Sequence, residues 1–316
     1  MSLWRAWRTY SAGKRRWPAV ARFAIDADRH VFALHRALRA GTYRPGRYHL
    51  RVIHEPKTRL ICAPRLRARV LHQALVADIG PTYTRGYIDH SYACLAGRGP
   101  QRAVLRYLGW SRRYRWRLSL DVRRYFLSID HSVLLDLIAR RLRDRRTLAL
   151  VRALVAHGGQ VYRSPQAVQV LGLERDPVAP GTGLPIGSLL SQWSANLYLD
   201  GLDQQVKRVL RVRGYLRYMD DLSLFSDDRE QLRAVRAAIV EWLARERRLT
   251  LNRKRWHVVP AAQPSTYLGY RVSRAGVTPG RTMRRRMRSK LRQAAERGPD
   301  ALQKSLRSYV ALIGVG

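Results

Sequence analysis

Cysteine, acidic residues and long apolar runs are all scarce in this 316-residue sequence. Its two cysteines, Cys62 and Cys94, are too few for a disulfide framework or a zinc site and fit a reducing compartment. No apolar run approaches the roughly 18 residues of a membrane span, and the N-terminus lacks a signal-peptide pattern. None of the nine histidines stands in a nucleophile pattern with serine and a carboxylate. These absences exclude the usual hydrolase patterns and predict a cytoplasmic protein with no membrane partner.

Positive charge dominates the composition of the chain. Lysine and arginine total 61 against 22 acidic residues, so the formal net charge is +39 and the pI is about 11.6. A coding bias toward arginine explains the choice of Arg over Lys, but it does not explain the shortage of Asp and Glu. Hydrophobic residues make up 46% of the chain, enough for one large or two to three small domains. The composition therefore predicts a folded protein that binds nucleic acid.

Two adjacent aspartates near the middle of the chain lie between short apolar runs. Residues 214–217 and 222–225 flank Asp220 and Asp221, and the alternation in the second run is typical of a strand. A hairpin with both aspartates at its turn is predicted. Far upstream, Asp121 lies near the end of a run whose apolar residues fall on one face, because side chains alternate across a strand.

Three carboxylates at strand ends match the needs of magnesium. Mg²⁺ prefers oxygen ligands and binds through a few carboxylates plus substrate phosphates. Two such ions about 3.5–4 Å apart stabilise the attacking and leaving oxygens of an in-line displacement. The pattern predicts a nucleotidyltransferase site for two Mg²⁺ ions, with Mn²⁺ as a substitute. Asp121 and Asp220 are the expected bridging ligands, Asp221 is the accessory ligand, and Val122 belongs to the same metal site.

The remaining patterns alternate between helix and strand. Helical spacing predicts helices at about 19–39, 65–77, 131–142 and 191–212, another after the hairpin, and a basic helical tail from about 279. Strands are expected within 43–61 and at 266–272. Asp130 and His131 are expected to cap a helix, and Asp227 and Asp228 to begin one. Residues 160–183 lack periodicity and carry prolines, which favours an extended loop or a small β insertion.

Several segments resemble, in order, the conserved blocks of reverse transcriptases. They are residues 57–61 and 69–75, 91–99, 120–131, 183–192, 218–221 and 267–270. The resemblance implies an α+β fold, the right-hand polymerase, with fingers, a palm of antiparallel sheet plus helices, and a short helical thumb. The implied boundaries are a basic N-terminal helical extension at 1–42, fingers at 43–115, palm at 116–265 with an insertion at about 140–182, and primer grip and short thumb at 266–316.

The resemblance also implies an RNA-directed DNA polymerase with template RNA, cDNA or primer, and dNTPs as partners. Lys57 and Arg59 are implied to grip the triphosphate, since the arginine fork pairs with phosphate oxygens. Phe126 is implied to pack under the sugar and exclude a 2′-hydroxyl. Gly187 would let backbone approach the nascent base pair, and Lys254 would donate a proton to pyrophosphate. The ordinary alternatives are solvated surface charges, a core ring and a turn glycine.

Template and primer contacts follow from the same resemblance. The implied residues are Ser191, Gln192, Tyr218, Met219, Leu268, Gly269 and Tyr270. At the N-terminus, Trp4, Trp7, Tyr10 and Trp17 alternate with basic residues. That cluster is open to three interpretations: stacking on RNA bases, docking a partner, or stapling the fingers.

One difference from the usual reverse transcriptase pattern indicates which group of these enzymes the chain resembles. Many reverse transcriptases carry Gln before the glycine of the 183–192 block, whereas this chain has Ile186-Gly187. That variant resembles the enzymes of diversity-generating retroelements, within the group II intron-like bacterial reverse transcriptases. It implies error-prone cDNA synthesis from a structured template RNA with an oligomer of a small basic accessory protein. A defence-associated or retron-like reverse transcriptase stays open, as does a non-catalytic RNA-binding protein on a polymerase fold, although three intact aspartates speak against the last.

Overall fold

The structure, a computed structural model, describes residues 2–54 and 58–313. Within these residues the helices are α1 (Leu3–Ser11), α2 (Pro18–Ile25), α3 (Ala27–Arg39), α4 (Leu66–Thr84), α5 (Pro100–Arg113), α6 (Tyr125–Ser128), α7 (His131–Ala139), α8 (Arg145–Gly159), α9 (Pro165–Leu171), α10 (Leu189–Gln204), α11 (Arg229–Arg247), α12 (Arg281–Ala295) and α13 (Pro299–Ile313). The strands are β1 (Tyr48–Ile53), β2 (Arg59–Pro64), β3 (Trp116–Asp121), β4 (Gly214–Tyr218), β5 (Asp221–Ser226), β6 (Val258–Pro260), β7 (Ser265–Tyr267), β8 (Tyr270–Ser273) and β9 (Gly276–Pro279). Short 3₁₀ or π segments lie at Gln160–Arg163, Gln205–Val209 and Arg253–Arg255.

The chain divides into two compact units, neither of which is one continuous segment. The first unit is Met1–Tyr87, Arg124–Asp200 and Glu246–Leu249. The second is Ile88–Arg123, Gly201–Arg245 and Thr250–Gly316. These units are defined by compactness, whereas the predicted fingers, palm and thumb are defined by resemblance to a family. The predicted boundaries therefore stay predictions.

The first unit combines helices with one hairpin. Strands β1 and β2 pair antiparallel, from Tyr48 opposite Pro64 to Ile53 opposite Arg59. The inward residues of β2, Leu60 and Cys62, are buried together with Ala167 of α9. Burial of these apolar side chains holds the hairpin against α9, since removal of apolar area from water is the main favourable term in folding.

The second unit is built on a four-stranded antiparallel sheet in the order β4-β5-β3-β6. Leu118 and Leu120 of β3 are 0% and 1% exposed, and α5 covers part of the sheet. The Tyr107 ring of α5 meets Phe225 edge-on, with 5.1 Å between ring centroids, and stacks on Tyr267 at 4.4 Å. This packing gives the sheet a rigid base, because aromatic pairs add to the energy of area burial.

The predicted hairpin around 218–221 and the strand that leads to Asp121 are confirmed. Two predicted helix starts are confirmed as well. The Asp130 carboxylate accepts hydrogen bonds from the backbone N–H groups of Ser132 and Val133 at the start of α7. Asp228 accepts from the first N–H groups of α11 in the same way. These contacts satisfy donors that the helix itself leaves without partners.

Three local predictions were wrong in whole or in part. The first half of segment 160–183 is neither a loop nor a β insertion but a 3₁₀ turn and α9, which begins with Ser164 as N-cap and Pro165 in the first turn. Proline is favourable in the first turn of a helix, so Pro165 marks a helix start here and not a loop. Residues 172–181 carry neither helix nor strand, in agreement with the predicted loop. The expected helix 19–39 is interrupted at Asp26. The expected strand 266–272 is the hairpin β7–β8.

In the part of the chain that the structure describes, no helix is both long and apolar enough to cross a bilayer.

Candidate functional site

The turn between β4 and β5 carries Asp220. Because Tyr218 pairs with Asp221, the two strands are joined by only Met219 and Asp220. Met219 has a φ of 55°, a value that tight hairpin turns use and that non-glycine residues adopt at a cost of about 1–3 kcal/mol. The turn is thus locally strained, and the surrounding structure has to hold it.

Asp121 lies opposite Asp221 in the sheet. These two residues form the last pair of the β3–β5 register, directly beside the turn. Side chains of directly opposed residues lie on the same face, about 4.5–5.5 Å apart at Cβ, and like charges in that position destabilise a sheet. The fold therefore brings together two carboxylates that repel each other, and a bound cation would make this arrangement favourable.

The donor atoms at this turn can be matched to the needs of magnesium. Among the residues that the structure describes, no group of three or more His, Cys, Asp or Glu side chains could by itself hold a metal ion. Magnesium is usually held by one or two carboxylates together with substrate phosphates and water. Opposed Asp121 and Asp221, with Asp220 on the adjoining turn, fit that kind of site, whose remaining ligands come from the substrate.

Asn252 holds Asp121 from the side. Its Nδ2 group donates to Oδ2 of Asp121 at 3.2 Å, and its backbone N–H donates to the Asp121 carbonyl at 2.7 Å. Oδ1 of Asn252 accepts from the backbone N–H of Lys254 at 3.2 Å. One residue thus orients the aspartate and begins the 3₁₀ turn that carries Lys254. Next to Asp121, Val122 is buried and forms a bridge with Leu251.

A buried ion pair supports the turn from β4. Arg217 donates through Nε and Nη2 to the Asp203 carboxylate, and neither side chain has any exposure. Nη1 of Arg217 donates to the carbonyl of Met219 at 3.1 Å. The Tyr215 hydroxyl donates to Asp203 at 2.6 Å, and burial raises the pKa of Tyr215 well above its ordinary value. This network reaches the strained residue of the turn directly.

Sequence reasoning missed Asn252, Arg217 and Asp203. A usable signal existed for Arg217, because a charge within an apolar strand needs a buried partner. Nothing in the sequence identified Asp203 as that partner. Asn252 was detectable only as a polar residue before a short basic run, and its contact with Asp121 spans 131 residues.

The 183–192 block lies in the first unit and is bonded on both sides. The Cys62 N–H donates to the Ile186 carbonyl at 2.6 Å, and the Ile186 N–H donates to the Tyr162 hydroxyl at 3.3 Å. Tyr162 in turn donates to Leu184 at 2.7 Å. Gly187 is exposed with a φ of 108°, and a Cβ there would lie 2.8 Å from Cγ2 of Ile61. Only glycine fits this position without displacement of a neighbour.

Phe126 is half-buried, whereas Tyr125 beside it is 2% exposed. The Tyr125 hydroxyl donates to the carbonyl of Ala195, and the Phe126 carbonyl accepts from the N–H of Leu184 at 2.7 Å. Tyr125 is therefore a core residue, whereas Phe126 is partly exposed.

The predicted site residues fall in both units. Arg59, Phe126, Gly187, Ser191 and Gln192 belong to the first unit, and Lys57 lies outside the described residues. The second unit holds Asp121, Val122, Tyr218, Met219, Asp220, Asp221, Lys254, Leu268, Gly269 and Tyr270.

Exposure separates these residues further. Arg59, Gly187, Lys254 and Gly269 are exposed, whereas Ser191 and Tyr270 are buried. Leu268 and Gly269 form the β7–β8 turn, both with positive φ.

A family model described as "Reverse transcriptase (RNA-dependent DNA polymerase)" matches residues 53–272. The curated protein YkfC of Escherichia coli (strain K12) is 24% identical over 297 residues, a match that covers 80% of this chain and 73% of YkfC. The family match alone spans most of the chain.

Solved telomerase structures share the fold. Apo telomerase from Candida tropicalis superimposes with a TM-score of 0.51 at 10% identity, covering 75% of this chain and 49% of that one. Telomerase from Candida albicans, solved in complex with the TWJ fragment of telomeric RNA, gives 0.50 at 11% identity, covering 76% and 46%. The chain spans about half the length of these telomerase chains.

These likenesses confirm the predicted α+β fold of the right-hand polymerase type. The family match over residues 53–272 places the aspartates and their supporting residues within the matched segment. The chain belongs to the reverse transcriptase family, the RNA-dependent DNA polymerases, which are nucleotidyltransferases.

Proposed function

We propose that this chain extends a primer along an RNA template with dNTPs, with Asp121, Asp220 and Asp221 as its catalytic carboxylates. The observation that carries the proposal is the register that sets Asp121 opposite Asp221 beside the strained turn of Asp220. In the reaction the 3′-hydroxyl oxygen forms a bond to the α-phosphorus of the dNTP. The bond from that phosphorus to pyrophosphate breaks, pyrophosphate leaves, and the hydroxyl proton passes to solvent water.

The three aspartates, with the backbone carbonyl of Val122, would hold two Mg²⁺ ions, for which Mn²⁺ can substitute. When bound, such ions stabilise the attacking and leaving oxygens. Asn252 limits rotation of the Asp121 carboxylate through its 3.2 Å hydrogen bond. Arg217 fixes the Met219 carbonyl and thereby the turn. Fixed carboxylates need no reorganisation during the reaction, which is how preorganised sites lower a barrier.

Nucleotide selection is assigned to residues implied by the family resemblance. Phe126 would exclude a 2′-hydroxyl, and its partial exposure is compatible with this role. Arg59 and Lys57 would bind the triphosphate, Gly187 would lie against the base pair, and Lys254 would protonate pyrophosphate. Lys254 is exposed, and Asn252 fixes its backbone.

Template and primer contacts are assigned to Ser191, Gln192, Tyr218, Met219, Leu268, Gly269 and Tyr270. Ser191 and Tyr270 are buried, so these two act by shaping the neighbouring backbone.

We further propose that the chain is the error-prone enzyme of a diversity-generating retroelement, acting on a structured template RNA with a small basic accessory protein oligomer. Ile186 supports this proposal, since it replaces the amide that many relatives carry. Both backbone groups of Ile186 are hydrogen-bonded, so a new side chain leaves the backbone of this block in place. Two basic proteins repel each other, and RNA would supply the opposite charge between them.

The function is tested by primer extension on an RNA template with dNTPs and Mg²⁺. Asp220→Asn should abolish extension, whereas Asp228→Asn should not, because Asn is an equally good N-cap for α11. Extension that survives Asp220→Asn would overturn the assignment of the catalytic centre. Inactivity of the wild type even on RNA copurified from its native host would favour the alternative, a non-catalytic RNA-binding protein on a polymerase fold.

The error-prone character has its own test. Ile186→Gln should lower misincorporation on the same template, because an amide beside the nucleotide adds a polar check on the base pair. An unchanged misincorporation spectrum would count against a role for Ile186.

A further inference from the structure

A basic cavity of about 650 Å³ lies along α5 in the second unit. Its lining includes Asp89, Arg98, Arg102, Arg106, Trp110 and Arg113. None of these residues belongs to the predicted catalytic, nucleotide or primer contacts. Arg102, Arg106 and Arg113 are exposed and stand at spacings of four and seven residues, which places them along one side of the helix.

Carboxylate partners are nearly absent from this cavity. Among the described residues that line it, Asp89 alone is acidic; it lies 3.7 Å from Arg98, and its side chain is 95% exposed. Arg98 is used internally, because it donates to the carbonyls of Ile88 and Ser91. Within the described part of the chain, Arg102, Arg106 and Arg113 have no carboxylate within ion-pair distance. Their charges are therefore available to an external anion.

Cations also crowd the aromatic wall of the cavity. Arg106 and Lys207 lie 5.8 and 5.6 Å from the centroid of the Trp110 ring. Burial, followed by the charge of Arg106, lowers the pKa of Lys207. Burial, then Lys207 and Arg106, lowers the pKa of His90 to about 4. Burial is the larger cause of both shifts, and the neighbouring cations add to it, so a bound anion would offset the cationic part.

We propose that this cavity binds the sugar–phosphate backbone of single-stranded RNA through Arg102, Arg106 and Arg113. Each guanidinium can pair with phosphate oxygens through two parallel hydrogen bonds. Arg102 and Arg113 are separated by about 16 Å along the helix axis, at about 1.5 Å per residue. A single phosphate or a free nucleotide cannot bridge that distance, whereas an extended polyanion can. Among polyanions, RNA is the expected ligand because the proposed function already requires an RNA partner. The identity of the ligand therefore rests on the proposed function.

The cavity wall is joined to the strand that leads into the turn. The Arg217 N–H donates to the His90 carbonyl at 2.9 Å, and the Tyr92 N–H donates to the Arg217 carbonyl at 3.0 Å. Segment 90–92 therefore extends the sheet beside β4. RNA held at α5 would lie against the segment that borders the catalytic hairpin.

The test is equilibrium binding of a labelled single-stranded RNA by fluorescence anisotropy, measured over a series of salt concentrations without dNTPs. The double variant Arg102→Gln/Arg106→Gln should weaken binding about tenfold or more. It should also reduce the slope of log K against log salt by about 1.4, at about 0.7 for each phosphate that is no longer neutralised. Arg102→Lys/Arg106→Lys keeps the charge and should retain most of the binding. Both side chains are exposed, so the variants should melt as the wild type does.

The matched control is Arg233→Gln/Arg245→Gln, which removes the same charge from α11, where both arginines pair with glutamates of their own helix. An equal loss of RNA affinity in this control would show that only net charge matters, and it would overturn the proposed site. Unchanged RNA binding by Arg102→Gln/Arg106→Gln would overturn it as well. Equal competition by a polyglutamate peptide would favour an acidic protein over RNA and also overturn it. Asp220→Asn should bind RNA normally, so inactivity in primer extension and loss of the α5 site are separate results.

Discussion

Arg217 and Asp203 form an ion pair with both side chains at 0% exposure and 2.7 Å between Nη2 and Oδ2. The same guanidinium donates through Nη1 to the carbonyl of Met219, the residue with positive φ in the turn of Asp220. Arg217 therefore acts as a positioning residue, because it connects a rigid buried carboxylate to the strained backbone beside the proposed catalytic carboxylates.

Removing one partner of this ion pair should be costly. Asp203→Asn keeps the size of the side chain but leaves a buried guanidinium without its counter-charge, which typically costs about 3–5 kcal/mol. Urea unfolding followed by circular dichroism measures the shift. The control is Glu230→Gln, whose ion pair with Arg233 is exposed and should contribute about 0–1 kcal/mol. Equal shifts in the two variants would contradict the role of the buried pair.

Asn252 should tune the affinity for Mg²⁺ in primer extension. Asn252→Ser keeps a side-chain acceptor for the backbone of Lys254 but removes the Nδ2 donor to Asp121. Loss of a group that orients a metal ligand typically costs about 10–100-fold in metal affinity or activity. The measurement is the Mg²⁺ concentration at half-maximal rate, with the melting temperature recorded in parallel. A normal Mg²⁺ requirement in Asn252→Ser would show that the hydrogen bond to Asp121 is not used.

Gly187 should not tolerate a Cβ. Gly187→Ala combines a positive φ with a contact of 2.8 Å to Ile61, and we expect a loss of about 2–5 kcal/mol from backbone strain and overpacking. The control is Gly181→Ala, where φ is 72° but no heavy atom lies within 4 Å, so only the strain of about 1–2 kcal/mol applies. Thermal unfolding and primer extension of both variants provide the comparison. If Gly181→Ala is as damaging as Gly187→Ala, the contact with Ile61 is irrelevant.

Phe126 should determine the choice of sugar. Phe126→Ala is expected to raise the ratio of kcat/KM for rNTP over dNTP by roughly 10–200-fold, the range expected for a steric or apolar contact in a binding pocket. Single-nucleotide extension with each substrate measures the ratio. Tyr125→Phe, which loses a buried hydroxyl bonded to Ala195, should lower stability and leave the ratio unchanged. If only Tyr125→Phe changed the ratio of rNTP to dNTP use, sugar selection would be assigned to Tyr125 and not to Phe126.

Local patterns predicted the elements that carry the aspartates. Alternation of apolar residues was sufficient for β3, in which Leu118 and Leu120 are buried. It also identified β5, although Ser223 on the other face of that strand is buried as well. Asp130 and Asp228 were recognised as helix starts, since capping depends only on nearby backbone. The prediction for the first half of segment 160–183 was wrong because Pro165 begins a helix there. Proline is favourable in the first turn of a helix and disruptive in its interior.

The sequence by itself determined the family, the strand that ends at Asp121 and the hairpin of Asp220 and Asp221, because block order, alternation and turn position are local properties. Only the tertiary structure decided that Asp121 faces Asp221, that Asn252 holds the first of them, and that Arg217 finds Asp203. It also decided that the arginines of α5 converge on one cavity with a single carboxylate among its described lining residues. Such pairings join residues far apart in the chain, and the burial that makes them strong exists only after the chain has folded.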